Sequence, residues 1–569
     1  MYKELYNSWL KNATGDSDLI TELEWIKDDS EAVSDRFYRE LDFGTAGLRG
    51  VIGAGTNRMN IYTVGRTTQA LAQYVNSVSK KPCVAIAYDS RIKSTLFAQT
   101  AACVLAANGV KVYIYDELMP TPMLSYAVRY FKCDAGIVIT ASHNPAKYNG
   151  YKVYGPDGCQ LAPEAAANIT DIMQGIDYFK GIKSTDLTSA VSNGSIEYIS
   201  QSVIESYLDE VQKQSIYSDK LNMADLKIVY TPLHGTGNKP VRSILKRIGV
   251  TNVTVVSQQE LPDGNFPTAP YPNPELRQPF ELALELAKTV NADMLLATDP
   301  DADRVGIAVR DGDDYTLLSG NDVGALLLNY ILEVRSINGT LPKNPVAVKT
   351  IVTTEICQKI ADAHGCKLIN VLTGFKFIGE QIALLENKHE ENRYILGFEE
   401  SYGYLPGTYV RDKDAVVASM LICEMAEYYK EKGITLLEQL DNLFKKYGYY
   451  LNSQNSFTFE GQTGMKAMAD IMNKLRTEKI NDFAGCVVVA VKDYLSSLTT
   501  DVASGNTTKI DLPKSNVIEF DLSGNSKVIF RPSGTEPKIK IYVGAVDDTR
   551  KAAEDKLQHL TDSAKSFLK

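Results

Sequence analysis

The 569-residue chain lacks any apolar run approaching the ~20 residues that a membrane span requires. The segment Met1-Tyr2-Lys3-Glu4-Leu5 lacks the apolar centre of a secretory signal. No membrane partner is therefore expected, and cytoplasmic localisation is. Cysteine is sparse and scattered. The eight residues (Cys83, Cys103, Cys133, Cys159, Cys357, Cys366, Cys423 and Cys486) form no CxxC pair. That spacing excludes a zinc ligand set or a disulfide framework and suits a reducing compartment. Positive charge is not in excess. With a net charge of -10 the chain shows no nucleic-acid footprint, which needs clustered Lys and Arg. An anionic substrate stays compatible, because a local positive cluster can sit within a negative protein. The pattern Gly-x4-Gly-Lys-Ser/Thr is missing, which excludes a nucleoside-triphosphate loop of that kind.

What is present is an ordinary globular composition, 44% hydrophobic and 23% charged, in a chain long enough for about three to five domains. Residues 1–40 carry Leu5, Trp9, Leu10, Leu19, Leu23, Trp25 and Ile26 at helical spacing among many charges, which predicts an N-terminal helical arm. Beyond it, short β-branched runs alternate with helical stretches. Val84–Ala87, a helical segment through Leu105 and Val110–Ile114 read as a βαβ unit. The pattern restarts at Leu226–Tyr230 and again at Pro345–Val348. Ile196–Gln212 reads as a connecting helix, and Ser496–Thr508, rich in Ser, Thr, Gly and Asn, as a loop. The last region, with strands at 516–522, 527–530 and 538–543 and a closing helix, reads as a smaller α+β domain. The expected limits are 1–40 for the arm, then domains at 41–212, 213–318, 319–447 and 448–569.

Four loops carry the chemistry. The first, Thr140-Ala141-Ser142-His143-Asn144-Pro145, follows the apolar run 135–139. A serine in a turn is by default a turn former or a cap. Here it follows a probable strand, has His143 beside it and has Lys152 beyond a Gly-containing turn, and ligands bind at the carboxyl ends of parallel strands. A serine that accepts phosphate needs a metal to offset charge and a proton acceptor, for which His143 and Lys152 are the local candidates. The second loop, Asp299-Pro300-Asp301-Ala302-Asp303-Arg304, follows the run 294–297. Three alternating carboxylates converge on one hard cation, and an all-oxygen set favours Mg²⁺. A calcium loop starting at Asp299 would need Gly sixth and Glu twelfth, where this chain has Arg304 and Arg310. Asp301 to Val305 also fits the Asp-x-Asp-x-Val signature of an aspartyl-phosphate phosphatase, which would leave Asp299 unexplained and the serine loop idle.

The third loop, Gly397-Phe398-Glu399-Glu400-Ser401-Tyr402-Gly403, offers a carboxylate and a hydroxyl two residues apart. In an extended loop both would face one way, as a pair of sugar hydroxyls requires. The fourth, Arg531-Pro532-Ser533-Gly534-Thr535-Glu536-Pro537, combines a guanidinium, two hydroxyls and a glycine that frees backbone amides, a cradle for phosphate.

Together with Phe43-Gly44-Thr45-Ala46-Gly47-Leu48-Arg49-Gly50, these loops in this order resemble the α-D-phosphohexomutase superfamily from Phe43 onward. Thr-Ala-Gly-Leu-Arg, Glu-Glu-Ser-Tyr-Gly and the length are similar to its phosphoglucomutase branch, which includes members active on pentose phosphates. The resemblance implies an α/β fold of four domains around a central cleft, three related units and a smaller C-terminal α+β domain. It implies interconversion of α-D-glucose 1-phosphate and glucose 6-phosphate, with phosphopentomutase or phosphomannomutase activity as the alternative. Ser142 would be the phosphoserine and, with Asp299, Asp301 and Asp303, would bind Mg²⁺. Arg49 and Arg304 would face the transferring phosphoryl group, and His143 and Lys152 would serve proton transfer. Glu399 and Ser401 would hold sugar hydroxyls, Lys413 would be a further charged substrate-binding residue facing the cleft, and Arg531, Ser533, Gly534 and Thr535 would hold the distal phosphate. Glucose 1,6-bisphosphate would be the intermediate and activator. The expected partner is a sugar monophosphate, with the enzyme a monomer or small homo-oligomer. Pro300 and Ala302 depart from the glycines of many relatives, yet Ala302 keeps the carboxylate spacing.

Overall fold

The computed structural model describes residues 2–44, 47–459, 462–533 and 538–568. Two compact units emerge. One comprises Met1–Leu318, Gly379–Tyr394 and Tyr402–Tyr428; the other comprises Ser319–Ile378, Ile395–Ser401 and Tyr429–Lys569.

The first unit begins with helices Tyr2–Asn12, Ser17–Trp25 and Ser30–Phe37, the last two capped by Asp16 and Asp29. Trp9, Leu19, Leu23 and Ile26 are buried, whereas Trp25 is 82% exposed and Leu5 and Leu10 lie at the surface. The stripe is therefore narrower than the apolar positions suggested, and Trp25 falls outside it.

Two sheets follow. In the first, Cys83–Tyr88 runs parallel to both Lys111–Ile114 and Ala135–Ile139. Tyr148–Tyr154 and Gly47–Val51 extend it in antiparallel sense. The expected connecting helix divides in two. Ile196–Tyr198 is an edge strand parallel to Lys111–Ile114, and only Gln201–Gln212 is helical. The β-branched Ile196 and Ile199 bury their side chains at this edge, which outweighs local helical spacing. In the second sheet Lys227–Thr231 lies parallel to Asn252–Val255 and Met294–Thr298, and Val305–Asp311 turns back antiparallel. Ala135–Ile139 and Met294–Thr298 are buried throughout, as central strands covered on both faces must be.

In the second unit Val346–Thr350 is parallel to Lys367–Val371 and is flanked on its other side by Tyr394–Glu399. The C-terminal sheet is antiparallel in every described pairing. Its strands run in the order Tyr449–Thr458, Lys538–Asp547, Lys527–Pro532, Ile518–Leu522, Cys486–Asp493, Leu498–Asp501 and Thr507–Lys509. The last two strands correct the expected loop at 496–508: β-branched Thr499, Thr500, Thr507 and Thr508 pair as a hairpin. No described helix is long and apolar enough to cross a membrane.

Candidate functional site

The first unit brings the serine and aspartate loops together. Ser142 follows a fully buried strand, is itself 6% exposed and adopts left-handed backbone (φ 51°). Such a conformation costs a non-glycine residue about 1–3 kcal/mol, so the surrounding loop must enforce it. Its Oγ donates to Asp299 Oδ2 at 2.7 Å and lies 3.2 Å from His143 Nδ1. Ala302 is also left-handed (φ 47°), which explains why glycine suits that position.

Asp299, Asp301 and Asp303 are buried, and one carboxylate oxygen from each lies within 4.8 Å of the others. Asp301 Oδ2 accepts from Thr121 Oγ1 at 2.9 Å and Lys152 Nζ at 3.1 Å. Asp303 Oδ2 lies 3.1 Å from Lys413 Nζ. Asp301 Oδ1 and Asp303 Oδ1 are buried and accept no hydrogen bond among the described residues. Burial, with Asp301 and Asp303 nearby, pushes the Asp299 carboxyl well above its usual range. Desolvation acts the same way on Asp301, but the ammonium of Lys152 together with hydrogen bonds from Asp299, Lys152 and Thr121 outweighs it and holds that carboxyl low. Three buried carboxylates, with Asp301 Oδ1 accepting no hydrogen bond and Asp303 Oδ1 having only Arg304 Nε at 3.6 Å, fit a hard divalent cation, since under-satisfied buried acceptors are otherwise costly.

The positive groups are placed as follows. Desolvation works against a charged Lys152, yet Asp301 and Asp303 keep its ammonium above the ordinary value. Desolvation and the charges of Arg304 and Arg49 hold the His143 imidazole well below its ordinary value. Arg304 Nη1 donates to Glu275 Oε1 at 2.5 Å, so it is held by a carboxylate that the sequence did not single out. Arg49 is exposed, on a strand paired with Tyr148–Tyr154.

Arg91 is a second residue that sequence reasoning missed. Its guanidinium donates to the carbonyls of Ser142, Asn144, Pro145 and Tyr148, pinning the serine loop. Asp89 anchors it at 3.3 Å, and both side chains are fully buried. Its place just beyond Cys83–Tyr88, the parallel neighbour of the serine strand, was the available signal. The loop 231–237 supports the aspartates from below: Thr236 donates to Pro300 O through both N (2.9 Å) and Oγ1 (3.0 Å).

In the second unit Glu399 ends its strand and Glu400 to Tyr402 form a turn, so the expected extended presentation of Glu399 and Ser401 is corrected. The tight return into Gly403–Leu405 forces it. Glu399 Oε1 accepts from Gly374 N at 2.8 Å, and Glu400 Oε2 from Thr350 Oγ1 at 3.1 Å. Arg531 Nη1 donates to Tyr542 OH at 3.1 Å, and Ser533 N donates to Lys538 O at 2.7 Å. Gly534 and Thr535 lie outside the described residues, as do Thr45 and Ala46.

Comparison with known proteins agrees with this arrangement along the chain. Residues 40–180, 205–312 and 319–447 match the alpha/beta/alpha domains I, II and III of phosphoglucomutase/phosphomannomutase, and 465–556 match its C-terminal domain. The phosphoglucomutase of Staphylococcus saprophyticus is 37% identical over 532 residues, covering 91% of this chain and 95% of that one. A phosphoglucomutase of Staphylococcus aureus is 38% identical over 536 residues, covering 91% and 94%. Among solved structures, a putative phosphomannomutase from Thermus thermophilus superposes with a TM-score of 0.69 at 21% identity, covering 93% of this chain and 99% of that one. The open form of pp63/parafusin, a phosphoglucomutase from Paramecium, gives 0.66 at 18% identity, covering 93% and 95%. With all four domains matched in order and relatives well above 30% identity across nine-tenths of its length, the chain belongs to the phosphoglucomutase/phosphomannomutase family.

Proposed function

We propose that the protein is a phosphoglucomutase that interconverts α-D-glucose 1-phosphate and glucose 6-phosphate through a phosphorylated Ser142. The observation that carries this reading is the 2.7 Å contact of Ser142 Oγ with Asp299 inside the buried trio of carboxylates. A phosphatase that used an aspartate as nucleophile would have no need of that contact. Relatives named phosphoglucomutase at 37–39% identity support glucose as the sugar. Mannose and pentose phosphates are the alternative substrates of the same chemistry.

Asp299, Asp301, Asp303 and the seryl phosphate would hold Mg²⁺, which when bound supplies positive charge against the phosphate oxygens. Transfer breaks the bond between phosphorus and the Ser142 oxygen and forms one to a free hydroxyl of the sugar monophosphate. The hydroxyl proton passes to a protein base, the neutral imidazole of His143, while Lys152, kept a charged ammonium by Asp301 and Asp303, would supply the proton that the departing Ser142 oxygen takes up. The resulting glucose 1,6-bisphosphate exchanges its ends and returns its other phosphate to Ser142. Arg304 and Arg49 stabilise the spread negative charge of a loose transition state. Glu399, Ser401 and Lys413 orient the sugar hydroxyls, while Arg531, Ser533, Gly534 and Thr535 hold the phosphate that does not react. The eight cysteines are free thiols, in keeping with a reducing cytoplasm.

The test is a panel of sugar 1-phosphates with Mg²⁺ and a trace of bisphosphate, scored for isomerised product and for inorganic phosphate. Isomerisation of glucose 1-phosphate, lost in Ser142→Ala, is expected. Release of inorganic phosphate as the main product would overturn the reading.

A further inference from the structure

Within the second unit, a chain of buried and part-buried polar contacts joins the phosphate loop's strand to the sugar loop. Lys527 begins the strand Lys527–Pro532, and Arg531 lies four residues along it, roughly 13 Å away and on the same face. Lys527 Nζ donates to Ile351 O at 2.7 Å and to Glu355 Oε1 at 2.6 Å. The same Glu355 oxygen accepts from Lys349 Nζ at 3.0 Å. Lys349, wholly buried, also donates to Thr353 O at 3.1 Å. Thr353 Oγ1 shares a 2.7 Å hydrogen bond with Thr350 Oγ1, which donates to Glu400 beside Glu399. Ile529, between Lys527 and Arg531 on that face, packs with Ile351, Val352 and Leu372 and with Tyr542, the partner of Arg531.

We propose that Lys527 is a positioning residue for the mutase reaction: bridged through Glu355 and Lys349, it fixes Arg531 of the phosphate loop relative to Glu399 and Glu400 of the sugar loop. A ligand held at both ends by these loops is bound well only if their separation is set, and binding energy at the phosphate end is realised only at the correct span. This inference rests on the mutase reading. Lys527 touches neither sugar nor phosphate and acts through the strand that it anchors.

The ion triad has an asymmetry that makes the role separable from folding. Glu355 has two lysine partners, and its side chain is 34% exposed beside an open cavity of about 640 Å³. Removal of Lys527 therefore leaves Glu355 still paired with Lys349 and in reach of water, and leaves buried Glu519, whose charge Lys527 also offsets, paired with Lys492 at 2.9 Å. Removal of Glu355 instead leaves two buried ammonium groups facing each other.

The experiment is steady-state kinetics on the full-length, Mg²⁺-loaded enzyme with glucose 1-phosphate, comparing wild type, Lys527→Met and Lys527→Arg, each with its thermal unfolding midpoint. If the wild type does not isomerise the sugar, the mutase reading fails, which is a separate result. With an active wild type, Lys527→Met is expected to raise KM at least about tenfold while kcat falls less than about threefold, and Lys527→Arg to restore KM to within about threefold. Unchanged KM in a folded Lys527→Met overturns the proposal. So does an equal loss of kcat and stability that Lys527→Arg fails to rescue. Should the methionine variant not fold, Lys527→Gln, which keeps a donor for Ile351 O, is judged by the same KM criterion.

Discussion

At the scale of single residues, the site is a balance of buried charge. Arg91 spans four carbonyls with one planar group, a task that a lysine cannot copy because its ammonium is a point donor. Arg91→Lys keeps the charge beside Asp89 but releases the serine loop, so kcat is expected to fall about a hundredfold with the fold retained; near-normal kcat would refute the pinning role. Arg91→Ala should in addition cost about 3–5 kcal/mol in denaturant unfolding, because it strands the buried Asp89. Glu400 offers a test by pH. Burial and the neighbouring Glu399 push its carboxyl from 4.5 up to about 7. Between those values the folded protein keeps a proton that the unfolded chain gives up. The stability from this group is therefore complete below the lower value and is lost as pH rises through the upper one. Glu400→Gln should gain about 1–3 kcal/mol over wild type near pH 8 and little near pH 5, measured by urea unfolding at both. Equal effects at the two pH values would contradict the assignment. The meeting of Ser142 with the three carboxylates was legible in the sequence because each lies within a few residues of its strand end. Arg91, Glu275 and Lys527 were not, because their partners lie tens to hundreds of residues away and only the folded sheets bring them close.

At the scale of elements, the loops work because neighbouring segments leave room for them. A Cβ at Gly403 would fall 1.9 Å from Lys413 Cδ, so the glycine after the sugar turn is what lets the lysine stem pass toward Asp303. The obstruction is to a flexible side chain rather than to backbone. Gly403→Ala is therefore expected to fold, displace Lys413 and lower kcat/KM by about tenfold or more; wild-type kinetics would show that the passage is unnecessary. Gly235 is less forgiving at a longer distance, since its Cβ would meet backbone, Pro300 Cα at 2.5 Å, under the metal loop. The alternating strand and helix pattern conveyed the α/β units well, since buried parallel strands read as continuous apolar runs. It conveyed edges poorly. The strand Ile196–Tyr198 and the hairpin 498–509 are short or polar, and their pairing partners are invisible to local periodicity. The turn at 400–402 escaped for a related reason, because no Gly or Pro occupies its central positions.

At the scale of the whole molecule, the metal loop and the serine loop belong to different sheets of one unit, while sugar and distal phosphate loops belong to the other. Cation binding should stabilise the folded first unit, because it relieves repulsion among Asp299, Asp301 and Asp303. Removal of Mg²⁺ with a chelator is expected to abolish isomerisation and to lower stability by about 2.7 kcal/mol relative to metal at a hundred times its dissociation constant. An unchanged unfolding midpoint would mean that the folded protein holds no such cation. The central claim is that one serine carries the phosphate between the two ends of the sugar. Incubation of the Mg²⁺-loaded enzyme with glucose 1,6-bisphosphate labelled in phosphorus, followed by peptide mapping, tests it most directly. The account predicts label on the peptide holding Ser142, discharged on adding unlabelled glucose 1-phosphate; label on an aspartate of the metal loop, or on no residue during active turnover, would contradict it.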